Sequence, residues 1–208
     1  MSISTRIVLL GFAVIAFTAS APAEETPSEA RAVVATLNDS LLEVLQQANE
    51  IDYVRRFELL GPTLDKAFDL PYMARQAVGR AFLDLSEADR ETWYGLFRTY
   101  MTATYAARFN RFSGQRFEVL GEEAGAGDSV MVQTRVVDPG GEDVDLSYRV
   151  RSTPAGWKVI DVFLKGTVSE LALRRSEYAA VLKREGFAAL VSSVEKRIEE
   201  YAKGAPAS

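Results

Sequence analysis

The sequence contains no cysteine and no histidine. Without cysteine the chain has no disulfide, no thiol nucleophile and no acylated cysteine of the kind that anchors bacterial lipoproteins. Without histidine it has no Ser-His-Asp triad, no imidazole base and no zinc site of the usual type. These absences disfavour enzymes that depend on the two residues, and they leave Asp, Glu, Tyr, Lys and Ser as the side chains for any catalysis.

Long hydrophobic runs are scarce, and the one at the N-terminus is short. Arg6 precedes an uncharged apolar run over residues 7–17, and the small residues that follow include Ala21 and Ala23. This arrangement predicts a secretory signal peptide over residues 1–23, cleaved after Ala23. The alternative is a retained membrane anchor, but a spanning helix needs about 20 apolar residues. The sequence therefore predicts an exported protein.

Positive charge is in slight deficit. The 208 residues carry a formal net charge of −5, which becomes −6 when residues 1–23 and their one charged side chain are removed. A mildly acidic body disfavours nucleic acid as a partner. With 48% hydrophobic residues, the processed chain fits one globular domain. We place this domain at residues 24–203, followed by a disordered tail at residues 204–208.

The first half of the chain is patterned for helices. Apolar residues at helical spacing predict helices over residues 30–48, 52–60, 64–70 and 71–78. Gly61 and Pro62 are expected to end the second of these segments, since both residues disfavour a helix interior. Asp69 is a candidate N-cap for the last segment.

The longest predicted helix covers residues 86–112 and begins at Ser86, a candidate N-cap. Its large apolar side chains cover more than half of its circumference: Trp93, Leu96, Phe97, Tyr100, Met101, Tyr105 and Phe109. Between Thr92 and Ala107 the only charged residue is Arg98. A surface helix normally carries charges on its outer side. We therefore expect this helix either to be covered on several sides or to face an apolar cavity.

The section that follows alternates between apolar and polar residues, which predicts strands. The clearest alternation sets Val144, Leu146, Tyr148 and Val150 against Asp145, Ser147, Arg149 and Arg151. Turn signals at residues 125–128, 139–142 and 153–156 separate four strands. On the last strand we predict that one face carries Trp157, Val159 and Phe163 and the other carries Ile160, Val162 and Leu164.

Helical patterning returns over residues 168–183 and 187–202, interrupted at Gly186. Helices, then strands joined by short turns, then helices indicate an α+β domain. We predict a twisted four-stranded antiparallel meander sheet packed against several helices, with a cone-like shape and an apolar pocket. The apolar residues either close this pocket as ordinary core or leave space for a ligand.

Residues 57–202 resemble the MlaC-type (toluene-tolerance) family of periplasmic lipid carriers. The matching residues are Phe68, Asp69, Met73, Ala74, Arg75, Gly79, Tyr105, Phe109, Tyr148, Arg149, Gly156, Trp157, Lys158, Asp161, Val162, Gly166, Ser169, Arg175 and Tyr178. Further segments are most similar to the hopanoid-associated HpnM branch: residues 112–114, 116–119, 139–141 and 166–171.

The resemblance implies a soluble periplasmic carrier that holds a hopanoid or phospholipid by its hydrocarbon part and needs no cofactor. It also implies that the carrier moves the lipid between membrane complexes, including an ABC transporter with an MCE-type subunit or another membrane lipid transporter. A carrier of this kind is expected to act as a monomer. The candidate lipid-binding residues are Trp93, Phe97, Tyr100, Met101, Tyr105, Leu146, Tyr148, Val150, Val159, Phe163, Leu171 and Tyr178.

Asp161 lies among apolar residues, where a carboxylate is costly unless it is paired. It is either a general base of raised pKa or a structural partner of an arginine such as Arg75, Arg174 or Arg175. The first interpretation gives a competing hypothesis, an enzyme that acts on an apolar substrate through Asp161 with Tyr148 or Tyr105. A further hypothesis is a lipid-free structural partner of an envelope complex, whose pocket would be filled by its own side chains.

Overall fold

The computed structural model describes residues 28–206, so the predicted signal peptide at residues 1–23 lies outside the described residues. Within them the chain forms six α-helices, one 3₁₀ helix and five strands. The helices are α1 (Glu29–Gln47), α2 (Tyr53–Ala67), α3 (Leu70–Val78), the 3₁₀ helix (Gly79–Asp84), α4 (Glu87–Arg108), α5 (Glu170–Glu185) and α6 (Phe187–Ala202). The strands are β1 (Arg116–Ala124), β2 (Ser129–Val137), β3 (Val144–Thr153), β4 (Gly156–Leu164) and β5 (Val168–Ser169).

The strands form one antiparallel sheet in chain order, so the predicted α+β class and the predicted meander are confirmed. The predicted number of strands, four, is wrong. β5 adds a fifth strand of two residues, in which Val168 pairs with Leu164 of β4. A strand this short leaves no alternating pattern in the sequence, because at least four residues are needed to show one.

Several helix ends lie where capping residues predict them. The Asp69 side chain accepts a hydrogen bond from the Tyr72 backbone N–H at 3.0 Å and begins α3. The Ser86 hydroxyl accepts one from the Asp89 N–H at 3.1 Å and begins α4. Gly186 separates α5 from α6 with φ 83°, a conformation that favours glycine. These contacts satisfy backbone groups that would otherwise lack partners at helix ends.

The prediction that Gly61 and Pro62 end a helix is wrong, because α2 continues through both residues to Ala67. Gly61 is buried and faces α4. The Thr102 methyl group of α4 lies 3.8 Å from the position that a Cβ at residue 61 would occupy. Leu64 in the following turn is fully buried. Packing against α4 thus outweighs the cost of an interior proline, about 3 kcal/mol.

The helices pack against the sheet and against one another. α1 contacts each of the four long strands, whereas α5 contacts β4 and β5 at the far edge. α4 packs against α2, α3 and α6, so this helix is covered on several sides, which is one of the two expected explanations for its few charges. Trp93 is fully buried there and donates its indole N–H to the Ala74 carbonyl at 2.7 Å.

A bulge in β4 changes which side chains share a face. Arg149 pairs with Asp161, whereas the next residue of β3, Val150, pairs with Val159, so Ile160 is an extra residue. Val159 therefore shares a face with Val162 and Leu164, and the predicted grouping of Val159 with Phe163 is wrong. We call the face that carries Leu146, Tyr148 and Val162 the inner sheet face, and the face that carries Arg149, Asp161 and Phe163 the outer sheet face.

No helix within residues 28–206 combines the length and the hydrophobicity that a bilayer span requires.

Candidate functional site

A cavity of about 420 Å³, the main cavity, lies between the inner sheet face and the C-terminal end of α4. Cross-strand pairs build its wall, since residues directly opposite each other on neighbouring strands place their side chains on the same face. The pairs are Phe117 with Val136, Val136 with Val144, Leu146 with Leu164, and Tyr148 with Val162. The sheet therefore supplies an apolar wall that extends over four strands.

Stacked aromatic rings line the opposite side of the main cavity. Tyr105 and Phe109, one turn apart on α4, have ring centroids 5.7 Å apart and planes only 4° from parallel. Phe109 in turn lies 6.2 Å from Phe117 on β1, at 6°. Phe68 meets Tyr105 edge-on at 5.8 Å. This stack joins the helix to the sheet and gives the cavity an aromatic side.

Polar side chains surround the exposed part of the main cavity. Arg111 is exposed, and Gln115 donates from Nε2 to Asp138 Oδ1 at 3.3 Å. Val144, beside them at the start of β3, is 41% exposed. The deeper residues Tyr105 and Tyr148 are buried. The cavity thus has a polar mouth and an apolar interior, an arrangement typical of sites for amphipathic ligands.

A narrow second space, the inner cavity, continues beyond Tyr105 and Val162, which line both spaces. Its remaining lining consists of Met73, Phe97, Tyr100, Met101, Thr104, Glu170, Leu171 and Arg174. Its volume is about 20 Å³, which is room for little more than one water molecule. The inner cavity is therefore almost filled by its own side chains, whereas the main cavity is open.

A charged pair separates the two spaces. Arg108 of the main cavity and Glu170 of the inner cavity form an ion pair of 2.6 Å, with their side chains 23% and 18% exposed. Burial by itself would lower the pKa of Arg108, but the hydrogen bond and charge of Glu170 outweigh it and raise that pKa. Arg108 therefore stays charged at neutral pH, and its ion pair with Glu170 connects α4 to α5.

The buried tyrosines of the site are poor acids. Burial raises the pKa of Tyr105 and of Tyr148 above the usual value, and the nearby charge of Glu170 raises both further. Burial also raises the pKa of Tyr100 to about 12. All three phenols are neutral at physiological pH, so they add no charge to the cavity walls.

The structure brings part of the predicted lipid-binding set together. Tyr105, Leu146 and Tyr148 line the main cavity. Phe97, Tyr100, Met101, Tyr105 and Leu171 line the inner cavity. Trp93, Val150, Val159 and Tyr178 are buried but line neither space, and Tyr178 meets the Trp93 ring edge-on at 5.5 Å. Phe163 lies on the outer sheet face, where the Arg149 guanidinium is 4.9 Å from the centroid of the Phe163 ring.

Sequence reasoning missed several wall residues, among them Phe109, Phe117, Val136 and Leu164. The sequence contains local signals for their positions. Phe109 follows Tyr105 at i,i+4 spacing, which places the two rings on one helix face. Phe117 and Val136 belong to the alternating strands that pair with β3 through Val144. Arg108 and Glu170 carry no sequence signal, because their contact depends on how α4 and α5 pack.

Asp161 is a structural residue of the outer sheet face. Its carboxylate accepts hydrogen bonds from the Ser169 hydroxyl at 2.7 Å, the Val162 N–H at 2.8 Å and the Leu171 N–H at 3.3 Å. Burial raises the pKa of Asp161, and these hydrogen bonds and the charge of Arg149 offset part of the rise. The carboxylate therefore holds the start of α5 against β4, with Arg149 as the arginine that influences it.

The acid/base pairs considered from the sequence are not assembled. Asp161 lies on the outer sheet face, whereas Tyr105 and Tyr148 line the main cavity on the inner face. Residues 28–206 also contain no cluster of acidic side chains suited to a metal ion. What the main cavity offers is an open apolar space with a polar mouth.

The chain resembles a known structure and matches a known family. It is similar in structure to the phospholipid-binding protein from Ralstonia solanacearum, which was solved in complex with a phospholipid. The TM-score is 0.74 at 24% sequence identity, over 84% of this chain and 99% of that one, a similarity that establishes the fold. The sequence profile of the family described as MlaC protein matches residues 35–196. Because this match extends over most of the chain and includes both cavities, the protein belongs to the MlaC family.

Proposed function

We propose that this protein is a lipid carrier that holds the hydrocarbon part of a membrane lipid in the main cavity. The observation that carries the proposal is an open apolar space of about 420 Å³ with a polar mouth. Transfer of hydrocarbon from water into such a space gains about 0.8 kcal/mol per methylene, so an acyl chain or polycyclic skeleton is bound without specific contacts. The phospholipid held by the structurally similar Ralstonia protein supports this proposal.

The proposed ligand is a phospholipid or a hopanoid, the latter in keeping with the resemblance to the HpnM branch. The contact set is revised to Tyr105, Leu146 and Tyr148, joined by Phe109 and Phe117, and Phe163 is left out because it lies on the outer sheet face. The protein is proposed to act in the periplasm after cleavage near Ala23. It is proposed to work as a monomer that exchanges lipid with an MCE-type subunit of an ABC transporter or another membrane lipid transporter.

The competing hypotheses have less support. An enzyme using Asp161 with Tyr105 or Tyr148 would need these groups on one side of the sheet, and they lie on opposite faces. A lipid-free structural partner would fill its pocket with its own side chains, but the main cavity is open. A carrier requires no covalent chemistry, which is consistent with the lack of His and Cys.

A charge in the wall tests this proposal. Leu146→Asp places a carboxylate in the main cavity, Leu146→Ala only removes volume, and Leu120→Asp places the same charge at a residue that is 51% exposed. After delipidation, each variant is incubated with vesicles of phosphatidylethanolamine and phosphatidylglycerol or with a hopanoid dispersion. The amount of lipid bound per protein is then measured. Only Leu146→Asp is expected to lose most of its lipid, because burying a charge in the wall costs far more than losing the three carbon atoms that alanine lacks. Equal lipid content in the folded Leu146→Asp and Leu120→Asp variants would reject the main cavity as the site.

A further inference from the structure

A separate cavity of about 300 Å³, the outer cavity, lies on the outer sheet face between β4, α3 and the start of α5. The sheet separates it from the main cavity. Its polar lining consists of Tyr72, Gln76, Arg149, Asp161, Ser169 and Arg175. The proposed lipid function makes no use of this cavity.

Arg149 is held in the outer cavity with unused hydrogen-bonding capacity. Its guanidinium lies 4.9 Å from the Phe163 ring centroid, and its buried Nε has no hydrogen-bond partner in the described part of the chain. Asp161 stands directly opposite Arg149 in the strand register, yet its carboxylate oxygens accept from Ser169, Val162 and Leu171 instead. The Asp161 carboxylate is thus used by other donors, and an anion in the outer cavity would offer the Arg149 guanidinium an acceptor.

Arg175 is the second cationic group of the outer cavity. Its guanidinium rests against Gly79, where Nε lies 2.8 Å from the position that a Cβ would occupy. Across residues 28–206, neither Arg175 nor Arg149 forms an ion pair with a carboxylate. Because residue 79 is a glycine, the Arg175 guanidinium has room to lie beside the C-terminal end of α3.

Neighbouring arginines add to the positive charge. The Arg151 guanidinium lies 4.3 Å from the Tyr72 ring centroid and pairs with Asp69 at 3.2 Å, while Arg75 lies 5.7 Å from the same ring. Together with Arg149 and Arg175, these cations outnumber the two nearby carboxylates. This local excess stands out in a chain whose formal net charge is −5.

We propose that the outer cavity binds a phosphate group, either as free phosphate or as the phosphate ester of a headgroup. Guanidinium groups present a planar set of donors that matches the oxygens of phosphate. The Tyr72 hydroxyl and the Gln76 amide add neutral donors to the same cavity. The site is independent of the proposed lipid cavity, so either one can fail without the other.

Calorimetric titration with inorganic phosphate at low ionic strength tests the site, because salt would screen the arginines. Arg175→Gln and Arg149→Gln each remove one cation from the cavity, and Arg184→Gln removes one from an exposed part of α5. We expect saturable binding that weakens about tenfold in the first two variants and stays unchanged in Arg184→Gln, because a hydrogen bond to a charged group contributes roughly that factor. Arg175 is exposed, so its variant remains informative even if Arg149→Gln folds poorly.

The proposal is overturned if the wild-type protein shows no saturable phosphate binding, or if the folded Arg175→Gln variant binds as the wild type does. If phosphate binds, cosedimentation with phosphatidylglycerol vesicles, with and without added phosphate, identifies the source of the phosphate group. Vesicle binding that phosphate abolishes assigns the site to a lipid headgroup. Phosphate binding without any vesicle binding assigns it to a free phosphate.

Discussion

Arg108 at the end of α4 and Glu170 at the start of α5 form an ion pair of 2.6 Å between the main and inner cavities. The pair connects two helices that are far apart in sequence and adjoins the apolar site. Glu170 also lies in the first turn of α5, where a negative charge is favoured by the helix dipole. This contact is thus expected to help hold the cavity walls in place.

Removal of one partner should destabilise the protein. Glu170→Gln leaves the mostly buried Arg108 cation without its counterion, and we expect the free energy of unfolding to fall by about 2 kcal/mol in urea titrations. Glu58→Gln is the control, because its pair with Arg55 is more than half exposed and should contribute less than about 1 kcal/mol. Equal small losses in both variants would show that the Arg108 pair has no structural role.

Asp161→Ala should be more damaging than its position outside the cavity suggests. The change removes the acceptor of the Ser169, Val162 and Leu171 hydrogen bonds, and we expect a loss of about 3 kcal/mol. Lipid content should be retained in the fraction that folds, because the residue faces away from the main cavity. Loss of lipid from a fully stable Asp161→Ala variant would contradict the structural role assigned here.

The raised pKa of Asp161 predicts a specific pH dependence. Because the folded-state pKa lies above the unfolded value, this group favours folding below the unfolded pKa, and that contribution is lost as pH rises through the folded pKa. The melting temperature of the wild type, measured against that of Asp161→Asn, should therefore decrease as the pH rises from 4 to 7.

Asp145→Asn provides the matched control for this titration. The Arg135 hydrogen bond holds the pKa of Asp145 below its usual value, so its contribution is lost only as pH falls through that lower pKa. Between pH 4 and pH 7 the difference between wild type and Asp145→Asn should stay nearly constant. A parallel pH course for both variants would refute the assignment at Asp161.

Two glycine substitutions should have opposite effects. Gly79 has φ 59° and lies against Arg175, so Gly79→Ala is expected to cost about 1 to 3 kcal/mol in thermal or urea unfolding. Gly95 lies on the exposed side of α4 with nothing near its Cβ position, so Gly95→Ala should stabilise the protein by about 0.5 to 1 kcal/mol. A neutral Gly79→Ala would mean that the backbone and Arg175 adjust without strain.

Local signals predicted most of the elements. Asp69, Ser86 and Gly186 mark helix ends through hydrogen bonds or backbone angles that depend on a few neighbouring residues. The α+β class follows from the change between helical and alternating patterns. In contrast, α2 continues through Pro62 because of packing against α4, a contact between distant parts of the chain.

The site was less predictable because one extra residue changes side-chain orientation. The bulge at Ile160 separates Val159 from Phe163, although alternation places them on one face. Periodicity also does not distinguish a core aromatic such as Trp93 from a cavity aromatic such as Tyr105. That difference depends on whether facing elements close the space, as they do around Trp93 and not beside Tyr105.

Native mass spectrometry of the protein, purified from the cell envelope without detergent, tests the central claim most directly. We expect one lipid molecule per chain, which extraction identifies as a phospholipid or a hopanoid. The adduct should be lost from Leu146→Asp and kept in Leu120→Asp. A chain that is empty and also fails to take up added phospholipid or hopanoid would contradict the assignment of the main cavity as a lipid-binding site.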